Sequence, residues 1–254
     1  MSEKKFIGII PARYASTRFP GKPLAPLLGK PLFFHVYERA SRCRELHGLY
    51  LATDHEAIQK EAQRLNVEVI MTSSKHPSGT DRVFEAALHL GAGEEDVIIN
   101  IQGDEPLLEP EMISSLIDCF KDPHIKVATL ARRISFEEVI DPNIVKVVLN
   151  VRGEALYFSR SPIPYYFNSY SGQFLGHVGM YAFRFSALRE FTSLSPSPLE
   201  QAERLEQLRL LENGIPIHVS ITPYSGCGVD TPEDLAKVEK ILRKETCPCQ
   251  CQLF

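Results

Sequence analysis

FIGIIPARYASTRFPGKPL, Phe6 to Leu24, runs from a short apolar stretch into a loop holding three prolines and the cations Arg13, Arg18 and Lys22. Apolar residues at helical spacing follow over 31 to 44. An apolar run, a polar loop and a helix in that order make one β–α unit, and the pattern repeats. GLYLAT (48–53), VEVIM (67–71) and DVIINI (96–101) are further short runs, separated by helical periodicity at 54–64, 80–90 and 110–121. Such alternation predicts an α/β fold with a mostly parallel sheet covered on both faces, because a buried parallel strand reads as a continuous apolar run.

The pattern changes over 126–185. KVATLARRI, IVKVVLNV, EALYFSR and VGMYAFRF read as strands joined by turns rather than helices. They predict an antiparallel extension of the sheet and a surface suited to a homodimer. Helix is expected again over 198–212, where Ser197, Pro198 and Glu200 stand as N-cap, N1 and N3 and Asn213-Gly214 supply the stop. A last strand, IHVSI, leads through GCGVD to a helix opened by Thr231 and Pro232. No internal repeat or low-complexity linker divides the chain, so residues 1–243 are expected to form one domain, with 126–185 as an elaboration.

Composition narrows the function. The 254 residues carry a formal net charge of −4, which argues against a nucleic-acid or membrane-surface partner. The apolar core FIGIIPA is too short for a secretory signal, and no run approaches the roughly 18 apolar residues of a spanning helix, so a cytoplasmic protein is expected. Cys43, Cys119 and Cys227 are scattered singly, whereas Cys247, Cys249 and Cys251 form a terminal CPCQC whose spacing matches no standard zinc pattern. A flexible tail is expected over 244–254.

Ligands of open α/β sheets bind at the carboxyl ends of strands, and three polar clusters fall there. The first is the opening loop. No acidic residue occurs between Glu3 and Glu38, while Lys4, Lys5, Arg13, Arg18, Lys22 and Lys30 all do. Pro20, Pro23, Pro26 and Pro31 stiffen that segment, and Gly21 beside Lys22 lets backbone approach a ligand. A held cationic loop suits a polyphosphate, although the same composition also describes a solvated surface loop. It is not a Walker loop, since Ser16 and Pro23 occupy positions that pattern reserves for Gly and Ser or Thr.

QGDEP (102–106) sets Asp104 just beyond a strand, as a Mg²⁺ ligand or as the cap of an Asx-type turn. GVDTP (228–232) offers Asp230 before a helix, where the helix dipole alone would favour an acid. Two aspartates opposite a cationic loop make a metal-plus-phosphate site more coherent than any one cluster. HPSGTDR (76–82) can read a base or ribose, or simply cap a helix at Ser78 or Thr80. Arg160, His177 and the pair Glu203 and Glu206 are either sugar contacts or ordinary structural and solvated groups.

PARYASTRFPGKPL, ATDHE, HPSGTDR, NIQGDEP, DPNIVKVV, ALYFSR, HVGMYAF, SPLEQAERLEQLR and GVDTPEDL, in this order, closely resemble the 3-deoxy-manno-octulosonate (Kdo) cytidylyltransferases over about Phe6 to Arg243. The resemblance implies a Rossmann-like nucleotide-diphospho-sugar transferase fold and a homodimer. The implied reaction is CTP plus Kdo giving CMP-Kdo and pyrophosphate with Mg²⁺, for lipopolysaccharide biosynthesis. It assigns Arg13 and Lys22 to the CTP phosphates, with Ser16 and Arg18 shaping the loop, and Ser78 and Arg82 to the cytidine end. Asp104 and Asp230 become metal ligands, and Gln102, Arg160, His177 and Glu206 face Kdo. A cytidylyltransferase for another acidic keto-sugar, such as sialic acid, shares the loop and the aspartates but is expected to lack the YFSR and HVGMY context. The tail after Arg243 matches nothing in the family.

Overall fold

A computed structural model describes residues 4–15, 19–165, 167 and 173–246. Strand β1 (Phe6–Ala12) leads through a short 3-10 turn (Lys22–Leu24) and the hairpin β2 (Pro26–Leu27) and β3 (Lys30–Pro31) to α1 (Leu32–Ala40). Then come β4 (Gly48–Thr53), α2 (Glu56–Arg64), β5 (Val69–Met71), α3 (Gly79–His89), β6 (Val97–Asn100) and α4 (Pro110–Cys119). The strand-rich segment holds β7 (Val127–Ile134), the single turn α5 (Phe136–Val139), β8 (Lys146–Leu149), β9 (Ala155–Ser159) and β10 (Phe174–Arg184). It is followed by α6 (Phe185–Ser193), α7 (Pro198–Glu203), α8 (Leu208–Glu212), β11 (His218–Ile221) and α9 (Pro232–Thr246).

The main sheet runs β11-β7-β10-β6-β1-β4-β5, with β8 paired to β10 and β9 paired to β8. β6, β1, β4 and β5 are mutually parallel, and β11 is parallel to β7. β10 is antiparallel to both β6 and β7. Consequently β10 is the one reversed strand of that seven-strand path, inserted inside the sheet rather than appended to its edge. Its own ladder is offset between Val178 and Tyr181, a bulge that re-aims the side chains next to the end of β6.

Both faces of the sheet are covered, as the apolar runs require. Ile10, Leu51 and Ile99 pack with Phe33 and Val36 of α1 and Ile113 and Leu116 of α4. On the other face Ile7, Ile9 and Ile98 meet Val83 and Ala86 of α3 and Phe185 and Leu188 of α6. A smaller cluster of Leu27, Leu32, Val229, Val238 and Leu242 ties α9 and the segment before it to the β2–β3 hairpin. Among the described residues, no helix is long and apolar enough to cross a membrane.

Two departures from the sequence reading have local causes. The helix expected over 198–212 is two helices, because Arg204 adopts a left-handed conformation (φ 54°, ψ 49°). Glu200 does accept the Ser197 backbone N–H at 3.0 Å, as the capping pattern predicts. The break lets Leu205, Leu208 and Leu210 enter the core while Glu206 turns toward the strand ends. Helix α6 lacks a side-chain cap at Arg184 and grows directly out of β10, so nothing in FRFSALREF punctuates its start. Replacing Ile99, fully buried on β6, by Ala should cost about 2–5 kcal/mol. Urea unfolding should show it as a lower midpoint at unchanged m-value.

Candidate active site

The carboxyl ends of β1 and β6 open onto a cleft of about 780 Å³, closed on its far side by α7, α8 and the segment between them. Lys22 stands at its floor. The loop delivering it is fixed by backbone bonds from Gly21 N–H to Tyr14 O (3.1 Å) and from Lys22 N–H to Phe19 O (3.1 Å). Gly21 has φ +69°, so it is there for the turn, a conformation other residues adopt only with strain. Tyr14 stacks on His55 at 3.9 Å and braces the near side of the loop. Ser16 and Arg18 lie outside the described residues.

The Lys22 ammonium donates to Asp104 Oδ2 at 2.6 Å, to Asp230 Oδ1 at 3.2 Å and to the Val229 carbonyl at 2.8 Å. All three of its protons are thereby used, and the side chain is only 15% exposed. The Val229 N–H donates in turn to the Asp104 carbonyl at 2.9 Å, binding the two aspartate-bearing segments to each other. Beside them the Glu105 carboxyl is pushed up to about 7, first by burial and then by the Asp104 charge.

Among the described residues no group of three or more His, Cys, Asp or Glu side chains could by itself hold a metal ion. Asp104 and Asp230 nevertheless converge on one cation position, presently taken by an ammonium. Two carboxylates, with the other ligands drawn from water and phosphate, are the donor set Mg²⁺ ordinarily accepts. The residues present therefore fit that ion.

Further residues lining the cleft are Arg13, Ser78, Arg82, Gln102 and Glu206. Ser78 caps α3, accepting from the Thr80 and Asp81 N–H groups (3.1 and 3.2 Å), so the capping reading of HPSGTDR is realised at the cleft wall. Arg82 is buried, paired with Asp54 at 2.8 Å and donating to Thr72 Oγ1 at 2.5 Å. Glu206 accepts from Thr80 Oγ1 at 2.7 Å, and burial pushes its carboxyl up against the pull of the Ser78 and Thr80 hydroxyls.

Two of the expected sugar contacts are not in the cleft lining. Arg160 directs its guanidinium to the carbonyls of Glu203 and Pro142, both at 2.9 Å, and its N–H to the Glu203 carboxylate. His177 lies between Phe158 and Tyr181, with Nε2 at 3.0 Å from Thr129 Oγ1. Burial depresses its pKa to about 3 and keeps the ring neutral.

Between His177 and the cleft is a group of residues that sequence reasoning missed. Tyr181 stands opposite Asn100 across the β10–β6 ladder. The Asn100 amide lies 3.4 Å from Thr80 Oγ1, which leads on to Glu206. Asn100 Oδ1, the Tyr181 hydroxyl, Glu206 Oε1 and Gln207 Nε2 are all buried without a hydrogen-bond partner. Each such atom costs about 1–3 kcal/mol if left unpaired, so this buried polar group calls for ordered water. The available signal was a polar residue, Asn100, ending an otherwise apolar strand.

A parallel α/β sheet with cations and paired carboxylates at its strand ends is the arrangement of a nucleotidyltransferase. Residues 7–221 match the cytidylyltransferase family. The 3-deoxy-manno-octulosonate cytidylyltransferase of Nitratidesulfovibrio vulgaris (strain DP4) is 54% identical over 241 residues, covering 93% of this chain and 96% of its own. The enzyme of the same name from Thermodesulfovibrio yellowstonii is 49% identical, covering 93% and 97%. A solved CMP:2-keto-3-deoxy-manno-octonic acid synthetase complexed with CTP superposes with a TM-score of 0.90 at 44% identity, over 95% of this chain and 100% of that one. A cytidylyltransferase from Leptospira borgpetersenii, 16% identical with a TM-score of 0.61 over 99% of each chain, shares the fold. The chain belongs to the cytidylyltransferase family, in its 3-deoxy-manno-octulosonate branch.

The depressed pKa of His177 has a definite sign in stability. The unfolded chain takes up this proton near pH 6.5 and the folded one only near 3, so folding stability is lost as pH falls through that window. At pH 5 the loss from this group is about 2 kcal/mol. Urea midpoints from pH 7 to 4 should therefore fall less steeply for His177→Gln than for wild type; parallel curves would contradict a neutral buried ring.

Proposed function

We propose that the protein transfers the cytidylyl group of CTP to the anomeric hydroxyl of 3-deoxy-manno-octulosonate, releasing pyrophosphate, with Mg²⁺ held by Asp104 and Asp230. The observation that carries this reading is the meeting of Lys22, Asp104 and Asp230 at the floor of the cleft. The names of the 54% and 49% identical relatives supply the substrate pair.

In-line attack on the α-phosphorus asks little covalent work of side chains and much of position and charge. Bound Mg²⁺ would supply Lewis-acid stabilisation of the phosphate oxygens and of the attacking hydroxyl. Arg13 and Lys22 bind the phosphates and offset charge on the departing pyrophosphate. Ser78, Arg82 and the α3 N-terminus form the cytidine end. Gln102 and Glu206, which line the cleft, take the sugar hydroxyls. His177 supports Tyr181 from behind as a neutral ring, and Arg160 fixes the β9 end against Glu203 at the end of α7. Ser16 and Arg18 are assigned to CTP binding on the resemblance of the opening loop alone.

We assign residues 1–243 to a single domain of a cytoplasmic homodimer serving lipopolysaccharide biosynthesis. Phe136, Ile140 and Leu156, all at least 60% exposed on the strand-rich segment, support that segment as the dimer surface.

Pyrophosphate release should be seen with CTP plus 3-deoxy-manno-octulosonate and Mg²⁺, and at most weakly with sialic acid or the other nucleoside triphosphates. No release with the first pair would overturn the reading. Asp104→Asn should lower kcat by at least about 100-fold while leaving thermal unfolding near that of wild type. A near-normal rate at ordinary Mg²⁺ would remove Asp104 from the site.

A further inference from the structure

Asp230 lies on a segment with no regular secondary structure, residues 222–231, yet it must be held about one cation's width from Asp104. Burial of Val229 among Leu27, Leu32, Val238 and Leu242 fixes one side of that segment, and the Val229 N–H to Asp104 carbonyl bond fixes one point of its backbone. Neither restrains the stretch Gly226-Cys227-Gly228 that leads in.

Glu105 does. Its carboxyl faces the Cys227 backbone N–H, whose pull holds its pKa down against burial. It also lies so close along the segment that a Cβ on Gly226 would stand 2.8 Å from Oε2 and 3.1 Å from Oε1, with Oε1 3.5 Å from the same position on Gly228. A side chain at 226 would thus crowd the carboxylate, and one of the two would have to shift. Glu105 itself is held by the turn after β6, through Glu105 N–H to Gln102 O (3.3 Å) and Leu108 N–H to Glu105 O (3.0 Å). It is absent from the lining of the cleft.

We propose that Glu105 is a positioning residue: its carboxylate clamps the Gly226–Gly228 backbone onto the turn that carries Asp104, and so sets the separation of the two metal-binding aspartates. The clamp requires an acceptor oxygen at that point, so Gln should serve in its place and Ala should not. This inference rests on the proposed role of Asp104 and Asp230.

Two measurements on wild type, Glu105→Gln and Glu105→Ala test it. The first is amide hydrogen exchange of the metal-free protein, read over 226–230. The second is the Mg²⁺ concentration giving half-maximal pyrophosphate release from CTP and 3-deoxy-manno-octulosonate. Glu105→Ala should speed exchange in that segment by about tenfold, with β1 and β6 unchanged, and raise the Mg²⁺ requirement by about tenfold, the scale of one lost hydrogen bond. Glu105→Gln should stay within about threefold of wild type in both. Wild-type behaviour of Glu105→Ala, or a Gln variant as impaired as Ala, would overturn the clamp. Should Glu105→Ala not fold, Gly226→Ala presses the segment away with Glu105 intact; a raised Mg²⁺ requirement supports the clamp, and an unchanged one refutes it. A wild-type enzyme inactive with this substrate pair would instead refute the functional reading, while the exchange data would still decide the clamp.

Discussion

The Lys22 ammonium ties together three segments at one point: the opening loop after β1, the turn after β6 and the stretch before α9. Each is irregular backbone at a strand end or helix start, and each carries charge that would repel or drift without the others. Charge-assisted hydrogen bonds at 2.6 to 3.2 Å are short and strong enough to hold them together, and partial burial protects them from screening by salt. The rest of the fold serves this meeting. β6 and β1 deliver two of the segments side by side, and the Leu27, Leu32, Val229, Val238 and Leu242 cluster seats the third.

On the proposed reading, the same contact would let one site hold both a metal and a triphosphate. Without substrate, Lys22 neutralises the aspartates. In the proposed reaction, a Mg²⁺ held by Asp104 and Asp230 would take over that duty and leave the Lys22 ammonium for phosphate. A lysine suits such an exchange because it is a point charge on a flexible stem, whereas arginine's planar fork would lock onto the carboxylates. Arg13, exposed and lining the same cleft, would supply a second cation on that reading.

How much of this was legible in the sequence depends on how local the cause is. The β–α alternation up to α4 could be read because each strand is a short Ile- and Val-rich run and each helix has its own apolar stripe. Asp104 and Asp230 stood out because each follows an apolar strand or opens a capped helix. The position of β10 inside the sheet could not be read, since strand order is set by packing between distant segments and periodicity carries no trace of it. The break at Arg204 was equally hidden, because its residues have ordinary helix propensity and only the competing burial of Leu205 and exposure of Glu206 to the cleft force it. Tyr181 and Gln207 look like core and helix residues until the structure leaves their polar atoms unpaired. The motif series identified the family, and of the residues it implies for the sugar, Gln102 and Glu206 line the cleft whereas Arg160 and His177 are not in its lining.

The central claim is that Lys22 and the metal compete for one position between Asp104 and Asp230. Mn²⁺ binding to the nucleotide-free protein, followed by electron spin resonance of the free ion, tests it directly. Lys22→Met should bind Mn²⁺ several-fold more tightly than wild type, while Asp104→Asn and Asp230→Asn should each bind it more weakly. A Lys22→Met protein with unchanged or weakened Mn²⁺ affinity would contradict the account.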